Sequence, residues 1–404
     1  MEFKAVRVTE HVYWVGAVDW SVRDFHGYST ERGTTYNAYL ILADKITLID
    51  TVKAQFKNEM LARIASVVEP TSVAYIISNH AEMDHSGALP AVIQELQPEK
   101  VFASVMGAKA LNEHYHLRSP IVPLKDGDGL NIGKLNLKFI ETRMLHWPDS
   151  MMTYLTEERL LFSQDGFGMH LASGKRFADE IDEGVLRLQA AKYYANILLP
   201  YSSLILKLLE RVAELSIPLD IICPDHGPVW RRDVGNIIDW YRAWAQQSPQ
   251  PKALIVYDTM WQSTDLMARS IADGLSAEGI EVRMMRLRAN DRSDVMTEVL
   301  DAGAVIVGSP TLNNGIFPTV ADFLTYMKGL KPKNKLGAAF GSYGWSGEAA
   351  GLIADELKAM GIELVMEPLK VKYVPDREVL IKCRDAGVRV AQILKQRTND
   401  GKAG

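Results

Sequence analysis

Cysteine is the scarcest reactive residue in this chain. Only Cys223 and Cys383 occur among 404 residues, far apart in sequence. That excludes a cysteine-rich iron site, suits a reducing compartment, and leaves both thiols to be read as small buried residues. No apolar run reaches the length of a membrane span, and the best candidate, Ala195–Leu199, is cut short by Pro200. Met1-Glu2-Phe3-Lys4 lacks the apolar core of a signal peptide, so a cytoplasmic protein is expected. The net charge is -5 with no long basic run, which argues against nucleic acid or an anionic membrane as partner. Internal repeats and low-complexity tracts are also missing. What remains is the composition of a globular protein, 47% apolar and 24% charged, long enough for more than one domain.

A polar, proline-containing stretch at Gln246–Pro251 separates two textures. The boundary predicts domains at 1–249 and 252–398. After it, strands expected at 253–257, 281–287, 304–308, 336–340 and 364–371 alternate with helices at 265–276, 293–300, 320–328, 348–360 and 376–395. Short, continuously apolar strands in βα units predict a parallel five-stranded sheet covered on both faces. Before the boundary the texture is mixed. Strands are expected at 12–15, 39–42, 46–49, 135–140, 153–155 and 160–162, and helices at 56–68, 88–96, 185–198 and 204–215. The tail from Arg397 to Gly404 is expected to fray.

The densest chemistry lies at His80-Ala81-Glu82-Met83-Asp84-His85, directly after the apolar run Val73–Ile77. Two imidazoles and two carboxylates within six residues rarely serve packing alone. His146, Asp165 and His226 each follow an apolar strand in the same manner. Four imidazoles and three carboxylates exceed the needs of one tetrahedral zinc and suit two metals, with Asp165 or another carboxylate as bridge. Zinc hydrolases of similar pattern usually carry an imidazole where Glu82 stands. A mixed imidazole–carboxylate set without thiolate suits iron or manganese and oxygen chemistry. His11, His114 and His116 read as ordinary hydrogen-bonded residues, while His170 stays open. Asp50 reads equally as an orienter behind the ligands or as a plain turn residue.

The second half offers three loops at expected strand ends. Thr259-Met260-Trp261-Gln262-Ser263-Thr264 has neither the glycines nor the lysine of a Walker loop and is no G-x-G-x-x-G motif. It offers hydroxyls and backbone N–H groups at a helix N-terminus, able to hold a phosphate without a countercharge. Pro310-Thr311-Leu312-Asn313-Asn314-Gly315 and Ser342-Tyr343-Gly344-Trp345-Ser346-Gly347 fall where a doubly wound sheet binds its ligand. Tyr343 and Trp345 are candidates to stack on an isoalloxazine ring. The set resembles the FMN site of flavodoxins.

Together the two halves resemble the flavodiiron proteins, a metallo-β-lactamase-like αββα sandwich followed by a flavodoxin-like doubly wound parallel sheet. Phe25-His26-Gly27-Tyr28, Gly33–Leu40, Leu145–Ser150, Tyr193–Asn196 and Gly341–Gly347 carry the resemblance beside the metal motif. It covers nearly the whole chain, and the details look nearest to the rubredoxin-dependent oxygen reductases. The resemblance implies one iron on His80, Glu82 and His146, another on Asp84, His85 and His226, and Asp165 as bridge. His26 and Tyr193 would line the gas pocket. It further implies a head-to-tail homodimer, or a dimer of such dimers.

The expected function is therefore an oxygen reductase that protects an anaerobe. O2 would go to water at a non-haem diiron centre with electrons relayed through FMN. The chain ends after its flavodoxin-like half, so a separate donor, rubredoxin by resemblance, is expected. Reduction of NO to N2O on the same site is the alternative. A dizinc hydrolase of the metallo-β-lactamase type and a non-catalytic electron carrier are two further readings, which metal analysis and O2 reoxidation would separate.

Overall fold

The computed structural model describes residues 3–214 and 217–400. Two compact units emerge, residues up to 193 with 203–242, and 194–202 with 243 onward.

The first unit is built on two sheets. Strands Val6–Arg7, Val12–Trp14, Tyr39–Ile41, Thr47–Ile49, Tyr75–Ser78, Lys100–Ser104 and Ile121–Leu124 lie side by side in that order. The first four run antiparallel to their neighbours, and pairing turns parallel from Thr47–Ile49 onward. Gly129–Asn131, Asn136–Glu141, Met151–Leu155, Leu160–Gln164 and Ile221–Pro224 form the second sheet. Strand alternation sorts the side chains between layers. Tyr39, Ile41, Ile49 and Ile77 meet Leu137, Phe139, Leu155 and Phe162 of the other sheet in one buried core. Leu40, Leu48 and Ile76 point the opposite way, onto Met60, Ile64, Leu89 and Val92 of helices Lys57–Ala65 and Leu89–Leu96. That is the expected metallo-β-lactamase-like sandwich.

Several elements depart from expectation here, the unforeseen helix Val234–Gln246 among them. Lys100–Ser104 and Ile121–Leu124 escaped notice because each is short, and the latter contains Pro123, which an edge strand tolerates. Between them Ser104 caps the helix Val105–Tyr115, accepting from Gly107 N at 2.9 Å. The helix expected over 185–198 is α-helical only over Glu183–Tyr193 and continues as a wider π turn, Tyr194–Leu198. Pro200 follows and has no N–H to extend an α-helical ladder.

In the second unit the parallel strands run in the order Glu281–Arg286, Gln250–Tyr257, Ala302–Gly308, Leu336–Tyr343 and Glu363–Leu364. The strand expected over 364–371 is divided around Pro368. Glu363–Leu364 and Leu369–Lys372 both pair with Leu336–Tyr343, at opposite ends. Chain order reverses between Gln250–Tyr257 and Ala302–Gly308, which is where such a sheet opens a crevice for a ligand. Helices Ser263–Ala277 and Arg377–Asp400 pack backbone to backbone. A Cβ on Gly274 would come within 2.0 Å of Arg384 O, and one on Gly387 within 2.1 Å of Ile271 O. The tail expected to fray is helical as far as Asp400, and 401–404 lie outside the described residues. Cys223 and Cys383 are buried in the two cores. Among the described residues no helix is long and apolar enough to cross a membrane.

Candidate functional site

Each candidate ligand sits at a strand end braced by side chains from elsewhere. Asp50, in left-handed backbone (φ 54°) after Thr47–Ile49, accepts from Asn79 N at 2.6 Å and Asn79 Nδ2 at 2.9 Å. It therefore fixes the turn that delivers His80 and touches no ligand imidazole through a hydrogen bond of its own. Ser86 Oγ ties back to Ala81 O at 2.6 Å and Glu82 O at 2.9 Å. The single helical turn Met83–Ser86 thus buries Asp84 and His85 and leaves Met83 outside. Gln164 donates to Leu145 O at 2.5 Å and accepts from Asp165 N at 2.7 Å, so one amide places the residues at His146 and Asp165 together. Asn37 Nδ2 donates to Pro224 O at 2.7 Å and Gly227 O at 2.9 Å, bracketing His226.

The four imidazoles all turn Nε2 inward. His80 and His146 present it to Glu82 Oε2 at 3.2 and 3.3 Å, and to Asp165 Oδ2 at 3.4 and 3.0 Å. His85 and His226 present it to Asp84 at 3.3 and 3.2 Å, and to Asp165 Oδ1 at 3.2 and 3.5 Å. Asp165 therefore gives one oxygen to each cluster. Ligand atoms of His80, Glu82, His146 and Asp165 all lie within 4.8 Å of one another, as do those of Asp84, His85 and His226.

Burial raises the carboxyls' tendency to hold protons, yet the imidazoles beside them outweigh it. Glu82, Asp84 and Asp165 are all held below the usual carboxylate range by His146, His80, His85 and His226. Burial likewise opposes charge on the imidazoles, but His80 and His146 are raised by their carboxylate partners and His85 is raised to about 10. Both oxygens of Asp84, both nitrogens of His85 and Asp165 Oδ1 are buried without a hydrogen bond. Orphaned donors of this kind, all nitrogen or oxygen, fit a pair of metal ions rather than a structural network.

The outward nitrogens explain what sequence reasoning missed. Asp149 accepts from His80 Nδ1 at 3.0 Å and from Ala81 N at 2.6 Å. His226 Nδ1 donates to Thr35 O at 2.6 Å. A ligating imidazole needs such an acceptor, so the Asp that closes His146-Trp147-Pro148-Asp149 was a usable signal. His26 stands in the hairpin turn His26–Gly27, both residues at positive φ, with Nε2 2.8 Å from Glu82 Oε1 and its side chain largely in solvent. Tyr193 is buried, its ring 6.1 Å from that of His226, and burial pushes its phenol well up. His170, left open by sequence, lies between them, 4.6 Å from His226 and 5.1 Å from Tyr193. Burial holds it neutral. His11 pairs with Glu158 at 2.7 Å, away from the cluster.

In the second unit a cavity of about 540 Å³ opens between the three loops. Met260, Trp261, Ser263, Pro310, Thr311, Leu312, Asn313, Asn314, Ser342, Tyr343, Gly344, Trp345 and Ser346 line it, joined by the unforeseen Tyr373 and Val374. Thr259, Gln262, Thr264, Gly315 and Gly347 belong to the same loops but are not among the lining residues. Thr264 Oγ1 meets Ser342 Oγ at 2.9 Å and so links two loops. Gln262 begins the helix Ser263–Ala277 in left-handed backbone. Asn313-Asn314, both at positive φ, turn the hairpin of Thr311–Leu312 with Gly315–Ile316. Thr259 Oγ1 is buried with no partner beside that helix N-terminus. Asp258 and Arg288 fix the residue's backbone, Asp258 Oδ1 accepting from Thr259 N at 2.8 Å and Arg288 Nη2 donating to Thr259 O at 2.6 Å. The cradle fits a phosphomonoester, and Trp261 and Trp345, nearly 90% exposed, fit the rim of a flat aromatic ligand.

Comparison with known proteins agrees on both halves. Residues 34–227 match the ODP family beta lactamase model and residues 255–387 the flavodoxin model. The flavodiiron protein from Giardia intestinalis superposes with a TM-score of 0.95, at 35% identity over 98% of each chain. The chain belongs to the flavodiiron family. The rubredoxin oxygen:oxidoreductase from the anaerobe Desulfovibrio gigas superposes with a TM-score of 0.96, at 45% identity over 98% of this chain and 99% of that one. A nitric oxide reductase from Moorella thermoacetica is 47% identical over 96% of this chain and 98% of its own length. Flavodiiron proteins are oxidoreductases that carry FMN and a non-haem diiron centre, and the two sites above fit those groups.

Proposed function

We propose that this flavodiiron protein reduces O2 to water, with FMN held by the three loops of the second unit and two irons held by the seven clustered residues. His80, Glu82 and His146 hold one iron, Asp84, His85 and His226 the other, and Asp165 serves both. The observation that carries the reading is the division of Asp165, one oxygen to each cluster, beside a carboxylate at Glu82. When bound, flavin and iron supply the electron transfer and the ferrous reductant.

The chain's own residues position and protonate. Buried carboxylates and neutralising imidazoles give a dry, preorganised site with little reorganisation to make during turnover. His26 has one side in solvent and Nε2 on Glu82, so it can pass protons inward from water. Tyr193, kept protonated by burial, offers an O–H on the side of His226. The iron half is assigned to residues 1–249 and the flavin half to 252–398. Rubredoxin is proposed as donor, a head-to-tail homodimer or dimer of dimers as the working assembly, and the cytoplasm as the compartment.

Reduction of NO to N2O is the second reading, favoured by the likeness to the Moorella enzyme. A dizinc hydrolase is disfavoured by the family and by Glu82. Glu82→His tests the ligand argument: purified variant protein should carry zinc in place of iron and lose O2 reduction. Retention of iron with full turnover would refute it.

A further inference from the structure

Three outward-facing imidazole nitrogens have identifiable partners, and one of the three is unlike the others. His80 Nδ1 has the Asp149 carboxylate at 3.0 Å, and His226 Nδ1 has the Thr35 carbonyl at 2.6 Å. His85 Nδ1 faces Asp225 Oδ2 at 3.5 Å, close enough for charge attraction but outside a hydrogen bond.

Asp225 is fully buried, and neither of its carboxylate oxygens has a hydrogen-bond partner. Its backbone, by contrast, is clamped. Asp225 N donates to Gln164 O at 2.9 Å and Asp225 O accepts from Asn37 N at 2.8 Å. The residue is thus held rigidly at the end of strand Ile221–Pro224 with its side chain unspent. A buried carboxyl without partners is costly to keep, and a packing role would be served as well by an apolar residue.

We propose that Asp225 is the positioning residue of His85. With metal bound, its carboxylate accepts a hydrogen bond from Nδ1–H of that imidazole and so keeps Nε2, with its lone pair, as the ligating nitrogen. Asp225 does for the Asp84–His85–His226 half what Asp149 does for the His80–Glu82–His146 half. Two homologous braces, one on each half, give each metal position its own control over ligand tautomer and orientation. The proposal rests on the diiron reading, because it assigns a brace to one half of that site.

The test is anaerobic ferrous titration of the metal-free, FMN-loaded protein, with ⁵⁷Fe Mössbauer spectra to resolve the two iron positions. Asp225→Asn, isosteric with the native residue, should weaken one position about 10–100-fold and perturb one quadrupole doublet. Asp225→Leu should do the same more severely. Asp149→Asn should weaken the other position and spare the first. Wild-type affinity at both positions in the two Asp225 variants would overturn the proposal, as would equal loss at both, which is the mark of a general structural role. Failure of wild-type protein to bind two ferrous ions would instead overturn the diiron reading itself. FMN retention and circular dichroism report whether each variant is folded, and if Asp225→Leu fails to fold, Asp225→Asn decides.

Discussion

Loading the site with iron should expel protons, and their number follows from the structure. Glu82, Asp84 and Asp165 are held below the usual carboxylate range, while His80, His85 and His146 are raised above the usual imidazole value. The metal-free cluster therefore favours charged carboxylates facing protonated imidazoles, up to three of each. Two ferrous ions added without proton loss would leave about four uncompensated charges in a buried site, at a prohibitive cost. Each raised imidazole must instead yield the proton on Nε2, so about one to three protons leave for two ions. Lowering the pH favours the protonated, metal-free state. Between pH 6.5 and 5.5 the overall two-ion constant should fall, by up to about tenfold for each proton released, or about 1.4 kcal/mol per proton. Anaerobic calorimetry in buffers of different ionisation heat counts the released protons, and repeating it across that pH range gives the slope. Release of fewer than one proton, or a flat pH profile, would refute the charge balance on which the site is read.

Two further outcomes are expected. Lys335 is buried, its Nζ donating to Leu300 O at 3.1 Å, and burial pushes its pKa down to about 7. The folded state binds fewer protons than the unfolded one between pH 7 and 10.5, so stability rises with pH across that window and is lost as pH falls. From pH 7 to 9 the gain should be about 2 kcal/mol, and Lys335→Met should abolish it in denaturant titrations; equal slopes in both proteins would count against this. Thr259→Val removes the unpartnered hydroxyl at the proposed phosphate cradle. It should weaken FMN about tenfold, as expected for one hydrogen bond to a charged group, in fluorescence titration of flavin-free protein. An unchanged Kd would place the phosphate elsewhere.

What the sequence made legible was local. His80, Glu82, Asp84 and His85 fall in the single helical turn Met83–Ser86 and the short connection that joins it to the strand Tyr75–Ser78, so their convergence needs no knowledge of distant chain. Gln250–Tyr257, Ala302–Gly308 and Leu336–Tyr343 of the second unit were equally legible, because each carries a continuous buried run. Relations across long separations were not. Asp149 braces His80 from 69 residues away, and Gln164 links two ligand loops through its amide; which groups each one joins is decided by distances across the fold. Tyr373 and Val374 line the flavin cavity from beyond a strand that Pro368 had blurred. Asp50 proved to brace a turn through Asn79 rather than an imidazole, a distinction that only distances can draw.

The central claim is that the iron pair spends electrons from FMN on O2. The most direct test mixes fully reduced, FMN- and iron-loaded protein with O2 in a stopped-flow cell, with NO in a parallel run and rubredoxin as donor for sustained turnover. Rapid reoxidation of flavin and iron without release of hydrogen peroxide, consuming four electrons per O2, is the predicted result. Slow reoxidation with stoichiometric peroxide, in protein shown to hold two irons, would contradict it.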